Sequence, residues 1–260
     1  MTTAPGRLLL VPTPLDFGVD AASRYADLQE SLPMGVIRQA AALTHWVAEN
    51  ARSARAFLKR VDAVLPLAQP LQAISIAELP RPPKGGVAAM HATSVDLAPL
   101  LAPALAGLDI GLVSEAGLPA VADPGAALVR RAHELGVPVV ALAGASALLL
   151  ALASSGFNGQ AFTFVGYLPQ EAGARAARVR DLELVSRRTG QAQLMIETPY
   201  RNQTLLDTLA ATLQPNSRLS VSCGMALPGG WTRSDPASAW RSRPCRMPSD
   251  VPAVFVLQAG

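Results

Sequence analysis

The sequence predicts an α/β fold. Compact apolar runs alternate with amphipathic stretches through the 260 residues, and the runs break into glycine, proline and small residues, as strands do where they pass the chain to a loop. The clearest instance is the apolar run 110–113. It opens into Ser114-Glu115-Ala116-Gly117 and then, through Asp123-Pro124-Gly125, into an amphipathic segment. Half of the residues are hydrophobic and 16% are charged, a balance that builds a core and excludes overall disorder.

Residues 7–11 are an apolar run that stops at Pro12-Thr13-Pro14, where proline cannot extend a strand; a first strand delivering a loop is expected. Residues 21–32 and 36–43 are expected helices, separated by Pro33. His45-Trp46-Val47-Ala48 then leads through Glu49-Asn50-Ala51-Arg52 to a helix over 53–61. At such a junction a carboxylate and a guanidinium can bind substrate, steer a proton, pair with each other or cap the helix. Residues 71–76 read as a short strand, 80–86 as a Pro/Gly/basic loop and 96–106 as a helix.

Beyond the run at 110–113, Asp123 is the expected N-cap and Pro124 the N1 residue of a helix ending at 135. Ligands collect at the carboxyl ends of strands in α/β sheets, and small residues there let a ligand approach the backbone. Local chemistry alone fits a binding loop and a well-capped turn equally. A strand at 138–142, the turn Gly144-Ala145-Ser146 and an apolar helix to 154 follow. Gly-x-Ser is not a hydrolase elbow here, because Leu148 stands where the second glycine belongs. Residues 162–169 form a strand and turn with core aromatics, and 172–188 a polar helix carrying Arg175, Arg178, Arg180, Arg187 and Arg188, interrupted by Asp181 and Glu183. That helix reads as a solvated face or as an RNA-contacting one. Strands at 193–197, 218–223 and 251–257 and a helix at 202–213 complete the alternation.

Several classes drop out. The long apolar stretch 137–153 is interrupted by Pro138, Gly144 and Ser146, which suits a strand, turn and core helix rather than a membrane span. No charged-then-apolar start resembles a signal peptide. Cys223 and Cys245 make no framework, so a reduced, cytoplasmic protein is expected. His45, His91 and His133 are scattered, and no metal site is expected. No dinucleotide or phosphate-loop pattern occurs. The net charge of +3, nearly all from arginine, permits nucleic-acid binding without demanding it.

The stretch Val113-Ser114-Glu115-Ala116-Gly117-Leu118-Pro119, continued by Asp123-Pro124-Gly125, resembles the Val-Ser-Asp-Ala-Gly-Thr-Pro…Asp-Pro-Gly signature of the tetrapyrrole methylase superfamily. It is similar in particular to the branch that methylates a ribose 2′-oxygen of small-subunit ribosomal RNA; Glu115 stands where the family has Asp. Val11-Pro12-Thr13-Pro14, Glu49 and Arg52 of an Ala-Glu-Asp-Thr-Arg-like junction, the Gly144-Ala145-Ser146 turn and Glu197-Thr198-Pro199-Tyr200-Arg201 extend the likeness in order over residues 7–257.

The resemblance implies two α/β domains, 1–118 and 119–260, with S-adenosylmethionine (SAM) in the cleft between them. It also implies a homodimer, a possible RNA substrate and no membrane. The positions implied to touch the cofactor are Pro12, Ser114, Glu115, Ala116, Gly117, Val121, Gly144, Ala145, Ser146, Ile196, Glu197 and Ala253. Glu49, Arg52 and Glu197 are the catalytic candidates on the acceptor side. The departures also fall there. Leu15-Asp16-Phe17-Gly18 replaces Ile-Gly-Asn, Ala77-Glu78-Leu79-Pro80 replaces a segment with His and Asn, and Gly224 to Trp231 replaces Leu-Thr-Lys-x-x-Glu. Methylation of a small molecule such as a macrocycle, and SAM binding without transfer, therefore stand as alternatives to RNA methylation.

Overall fold

The computed structural model describes residues 4–16, 28–80 and 96–260. Phe17, Gly18, the first part of the expected helix 21–32, the loop after Pro80 and His91 lie outside the described residues. The chain divides into two compact units, Met1–Ala145 and Ser146–Gly260.

The first unit runs β1 (Leu8–Leu10), α1 (Leu28–Ser31), α2 (Met34–Ala42), β2 (His45–Ala48), α3 (Ala51–Val64), β3 (Ser75–Glu78), α4 (Ala102–Leu105), β4 (Ile110–Val113), α5 (Ala126–Glu134) and β5 (Val139–Ala141). Its strands lie in the order β3-β2-β4-β1-β5 and all pair in parallel. Period-two alternation splits the apolar runs between two faces. Leu9, Val11, Trp46, Ala48 and Val113 pack with α1, α2 and α3, whereas Leu8, Val47, Ile110 and Leu112 pack with α4, α5 and Leu101. Gly111 makes room on the first face: a Cβ there would lie 2.5 Å from the Trp46 ring. The unit boundary falls at 145/146 rather than at 118/119, because β5 completes the first sheet by pairing with β1.

Three local expectations change. Residues 71–76 divide into a 3-10 turn, Leu71–Ala73, and β3, since Pro70 starts a turn. The segment 96–106 is a 3-10 turn, Ala98–Leu101, followed by α4, because Pro103 lacks the amide that would continue a longer helix. Asp123 is not the N-cap of α5; that position is Gly125, at φ +131°, with no side-chain cap.

The second unit contains α6 (Ala147–Ser155), β6 (Phe162–Tyr167), α7 (Ala172–Thr189), β7 (Ala192–Ile196), α8 (Asn202–Thr212), β8 (Arg218–Cys223), β9 (Trp231–Pro236), α9 (Ala237–Ser242) and β10 (Ala253–Gln258). The sheet order is β6-β7-β10-β8-β9, parallel only between β6 and β7. Leu219, Val221, Cys223, Met195 and Phe255 face α7, α8 and α9; Leu194, Val254 and Val256 face α6. The Gly224 to Gly230 segment is the hairpin turn between β8 and β9. Gly224 (φ +63°) opens it, and a side chain at Gly230 would overlap the Gly224 carbonyl. Among the described residues no helix is long and apolar enough to cross a membrane.

Candidate functional site

Parallel pairing puts the carboxyl ends of β1, β2, β4 and β5 on one edge of the first sheet. The chain leaves β1 toward β2 and β3 on one side, and leaves β4 toward β5 on the other. The strand order therefore reverses between β1 and β4, the position at which doubly wound sheets bind ligands.

The two loops that meet there are joined directly. The Thr13 amide donates to the Gly117 carbonyl (2.9 Å) and the Gly117 amide to the Thr13 carbonyl (3.1 Å). The Thr13 hydroxyl reaches the Ser114 carbonyl at 3.4 Å. The loop after β5 joins them: a Cβ at Gly144 would overlap the Pro12 ring, and one at Gly117 would lie 3.6 Å from the Ala145 carbonyl oxygen. Pro12, Ser114, Gly117, Gly144 and Ala145 thus come together at the switch point. Ala116 lies beside them in the chain, and Val121, 45% exposed, projects from the same loop.

That loop is conformationally unusual. Gly117 (φ +77°), Ala120 (+67°), Ala122 (+66°) and Gly125 (+131°) all occupy positive φ. For an alanine the left-handed region costs about 1–2 kcal/mol. Two alanines held there in one loop are a local strain that the surrounding structure maintains.

A carboxylate cluster lies at the ends of β2 and β4. The Glu49 amide donates to the Val113 carbonyl at 3.3 Å. Burial, and then the charges of Asp123 and Glu115, push the Glu49 carboxyl above its ordinary range, while the Glu115 backbone amide partly offsets this. Burial and Glu115 raise Asp123 too, against the opposing effect of the Ser114 hydroxyl. The Glu115 carboxylate accepts from Asn50 Nδ2 (3.3 Å) and Ser53 Oγ (3.2 Å). Asn50 is the N-cap of α3, accepting from the Arg52 amide at 2.9 Å, and Glu78 accepts from the Ala51 amide at 2.8 Å. Arg52 is exposed at the first turn of α3 and forms no ion pair with Glu49.

Sequence reading missed Thr13, Asn50, Glu78 and Asp123 as parts of this site. Asn50 was detectable, since Asn before a helical run is an N-cap signal. The role of Glu78 depends on β3 pairing beside β2 and is invisible locally.

In the second unit, antiparallel pairing sets Ile196 opposite Val254 and Ala253 opposite Cys223, so Ile196, Glu197 and Ala253 share one sheet edge. Glu197 is buried and fully engaged. Its Oε2 pairs with Arg201 at 2.8 Å, and its Oε1 accepts from the Thr198 amide at 2.8 Å. Ser146 is the buried N-cap residue of α6, without a side-chain cap bond. Among the described residues no group of three or more His, Cys, Asp or Glu is arranged to hold a metal ion.

No family model matches the chain. Curated proteins do. Ribosomal RNA small subunit methyltransferase I of Neisseria meningitidis is 42% identical over 116 residues, 44% of this chain and 38% of that protein. The protein of the same name from Micromonospora olivasterospora is 43% identical over 107 residues, 41% of this chain and 33% of the relative. The match thus spans well under half the length of these relatives. Among solved structures, the methyltransferase CobJ aligns over 98% of this chain and 95% of its own, with a TM-score of 0.55 and 14% identity, a likeness of fold. The chain is similar over part of its length to ribosomal RNA small subunit methyltransferase I and shares the fold of the methyltransferase CobJ.

Proposed function

We propose that this chain is a SAM-dependent methyltransferase that acts on ribosomal RNA ribose and works as a homodimer. The observation that carries the reading is the switch-point site itself: two loops locked by the Thr13–Gly117 pair, beside a cluster of three carboxylates. The donor set fits the cofactor. SAM is a cation with a sulfonium and an ammonium group, and Glu49, Glu115 and Asp123 concentrate negative charge where the loop backbone is most approachable. When bound, SAM supplies an electrophilic methyl group.

The residues of the chain supply the rest. Pro12, Gly117 and Gly144 shape the seat and keep side chains out of it. Ser114, Ala116, Val121 and Ala145 line the loops. Holding nucleophile and donor at near-attack distance is worth ~7–11 kcal/mol of the barrier. A ribose hydroxyl is a poor nucleophile and needs its proton removed as the new bond forms. Glu49, whose raised carboxyl lies closer to neutrality than an ordinary glutamate, is the proposed base, and Arg52 the proposed anchor for an acceptor phosphate. Glu197 is proposed to hold the end of β7 through Arg201.

The test is transfer of a labelled methyl group from SAM to small-subunit ribosomal RNA, followed by mass analysis of the nucleosides. The expected product is a 2′-O-methylated ribose. Labelling of a small molecule, with none on RNA, would overturn the RNA part of the proposal and favour the macrocycle alternative.

A further inference from the structure

The fold buries one acid and one arginine of α7 and leaves its exposed face with a surplus of three positive charges. Glu183 is buried, with its carboxylate accepting from the Gln214 amide at 2.8 Å. Arg175 is buried as well, held by Thr208 Oγ1 (3.0 Å) and the Gln170 carbonyl (2.8 Å). Arg178, Arg180, Arg187 and Arg188 remain exposed, against Asp181 alone. That surplus of three equals the formal charge of +3 carried by the whole chain. None of the four arginines forms an ion pair with a described residue.

The spacing is as informative as the charge. Arg180, Leu184, Arg187 and Arg188 stand at i, i+4, i+7 and i+8, one stripe of the helix. The stripe is about 12 Å long at ~1.5 Å per residue. Leu184 is 62% exposed in its middle, and with Val185, Arg187, Arg188 and Asp181 it lines a shallow groove.

We propose that this stripe of α7 binds the phosphate backbone of RNA, as a docking surface distinct from the strand-end site. Charge complementarity selects a polyanion, and guanidinium forks match phosphate oxygens in a way that suits Arg rather than Lys. One exposed leucine offers a ribose or base face an apolar seat. It is too little apolar surface for an amphipathic helix that lies in a membrane. The inference rests on the reading of RNA as the acceptor, and its test is built to fail separately.

The experiment measures binding of a fluorescein-labelled RNA hairpin and of oligouridylate across a salt series. It uses the full chain, the variant R180Q/R187Q/R188Q, and a control of equal charge loss, R38Q/R130Q/R246Q, at exposed arginines off this face. SAM affinity is measured alongside. The α7 variant is expected to weaken RNA binding at least tenfold at low salt. The slope of log K against log salt should become shallower by about two, at ~0.7 per phosphate contact on single strands. The control should bind as wild type, and SAM affinity should be unchanged in all three. Equal loss in both variants would assign the effect to net charge and overturn the inference, as would unchanged RNA binding in the α7 variant. Wild-type protein that binds SAM but shows no salt-dependent RNA binding would overturn the inference and the RNA acceptor together, leaving the donor site intact.

Discussion

Thr13 and Gly117 exchange two backbone hydrogen bonds, at 2.9 and 3.1 Å, and so lock together the loops that leave β1 and β4 in opposite directions. The pair sits where the strand order reverses, so the proposed chemistry depends on its geometry.

Gly117 cannot be exchanged without cost. Its φ is +77°, and an added Cβ would lie 3.2 Å from Leu15 Cδ2. Gly117→Val is expected to lower stability by more than the ~1–2 kcal/mol of the left-handed backbone, and to weaken SAM binding at least tenfold. Thermal melting and calorimetry check both. A variant that binds SAM as wild type would remove Gly117 from the site.

The pH dependence of Glu49 has a definite sign. Its folded-state pKa is raised by burial and by Asp123 and Glu115, so ionisation opposes folding. The penalty is absent below the ordinary glutamate range and complete above the raised value. Glu49→Gln is therefore expected to melt higher than wild type at neutral pH, with the gap closing as pH falls. If Glu49 is the base, the same variant loses methyl transfer by about 100-fold or more. Higher stability with unchanged transfer would leave it a charge near the donor and no more.

Glu197 is predicted to be structural. Its side chain is 3% exposed and is bonded to Arg201 and Thr198. Removing one partner strands the other; Arg201→Ala is expected to cost about 3 kcal/mol in denaturant unfolding. SAM affinity of the protein that remains folded should change little. A selective loss of transfer, at unchanged stability, would instead restore Glu197 as a catalytic group.

Acid should act at the opposite end of the first sheet. Hydrogen bonds from the Arg7 side chain, and then from its amide, hold the Asp109 carboxyl below its ordinary range despite partial burial. This stabilisation is fully present above the unfolded carboxylate pKa and is lost as pH falls through the lowered folded value. Asp109→Asn should flatten that part of the acid limb of a melting-temperature profile. A limb as steep as that of wild type would show that other carboxylates carry it.

Much of the fold was legible because buried parallel strands announce themselves: Leu8–Leu10 and Ile110–Val113 are continuous apolar runs ending in breakers. The Trp231–Pro236 strand was not, since Thr, Arg, Ser and Asp on an edge strand show no apolar alternation, and β8 alone supplies its pairing. At the candidate site, Ser114, Gly117 and Gly144 stand at small-residue strand ends visible in the sequence, whereas Glu49 is singled out only by the resemblance. Asp123 misled because it looks like a helix cap from its neighbours; the positive φ values from Gly117 to Gly125 carry it instead toward Ser114 and the Glu49–Glu115 cluster. Arg175 and Glu183 misled in the same way, since only the packing of α7 shows that both are buried.

The central claim is that the switch-point loops bind a sulfonium donor. Calorimetric titration of the purified chain with SAM, and with its demethylated product S-adenosylhomocysteine, tests it most directly. The account predicts saturable micromolar binding of both, weakened in Gly117→Val. Absence of binding by either ligand to folded wild-type protein would contradict it.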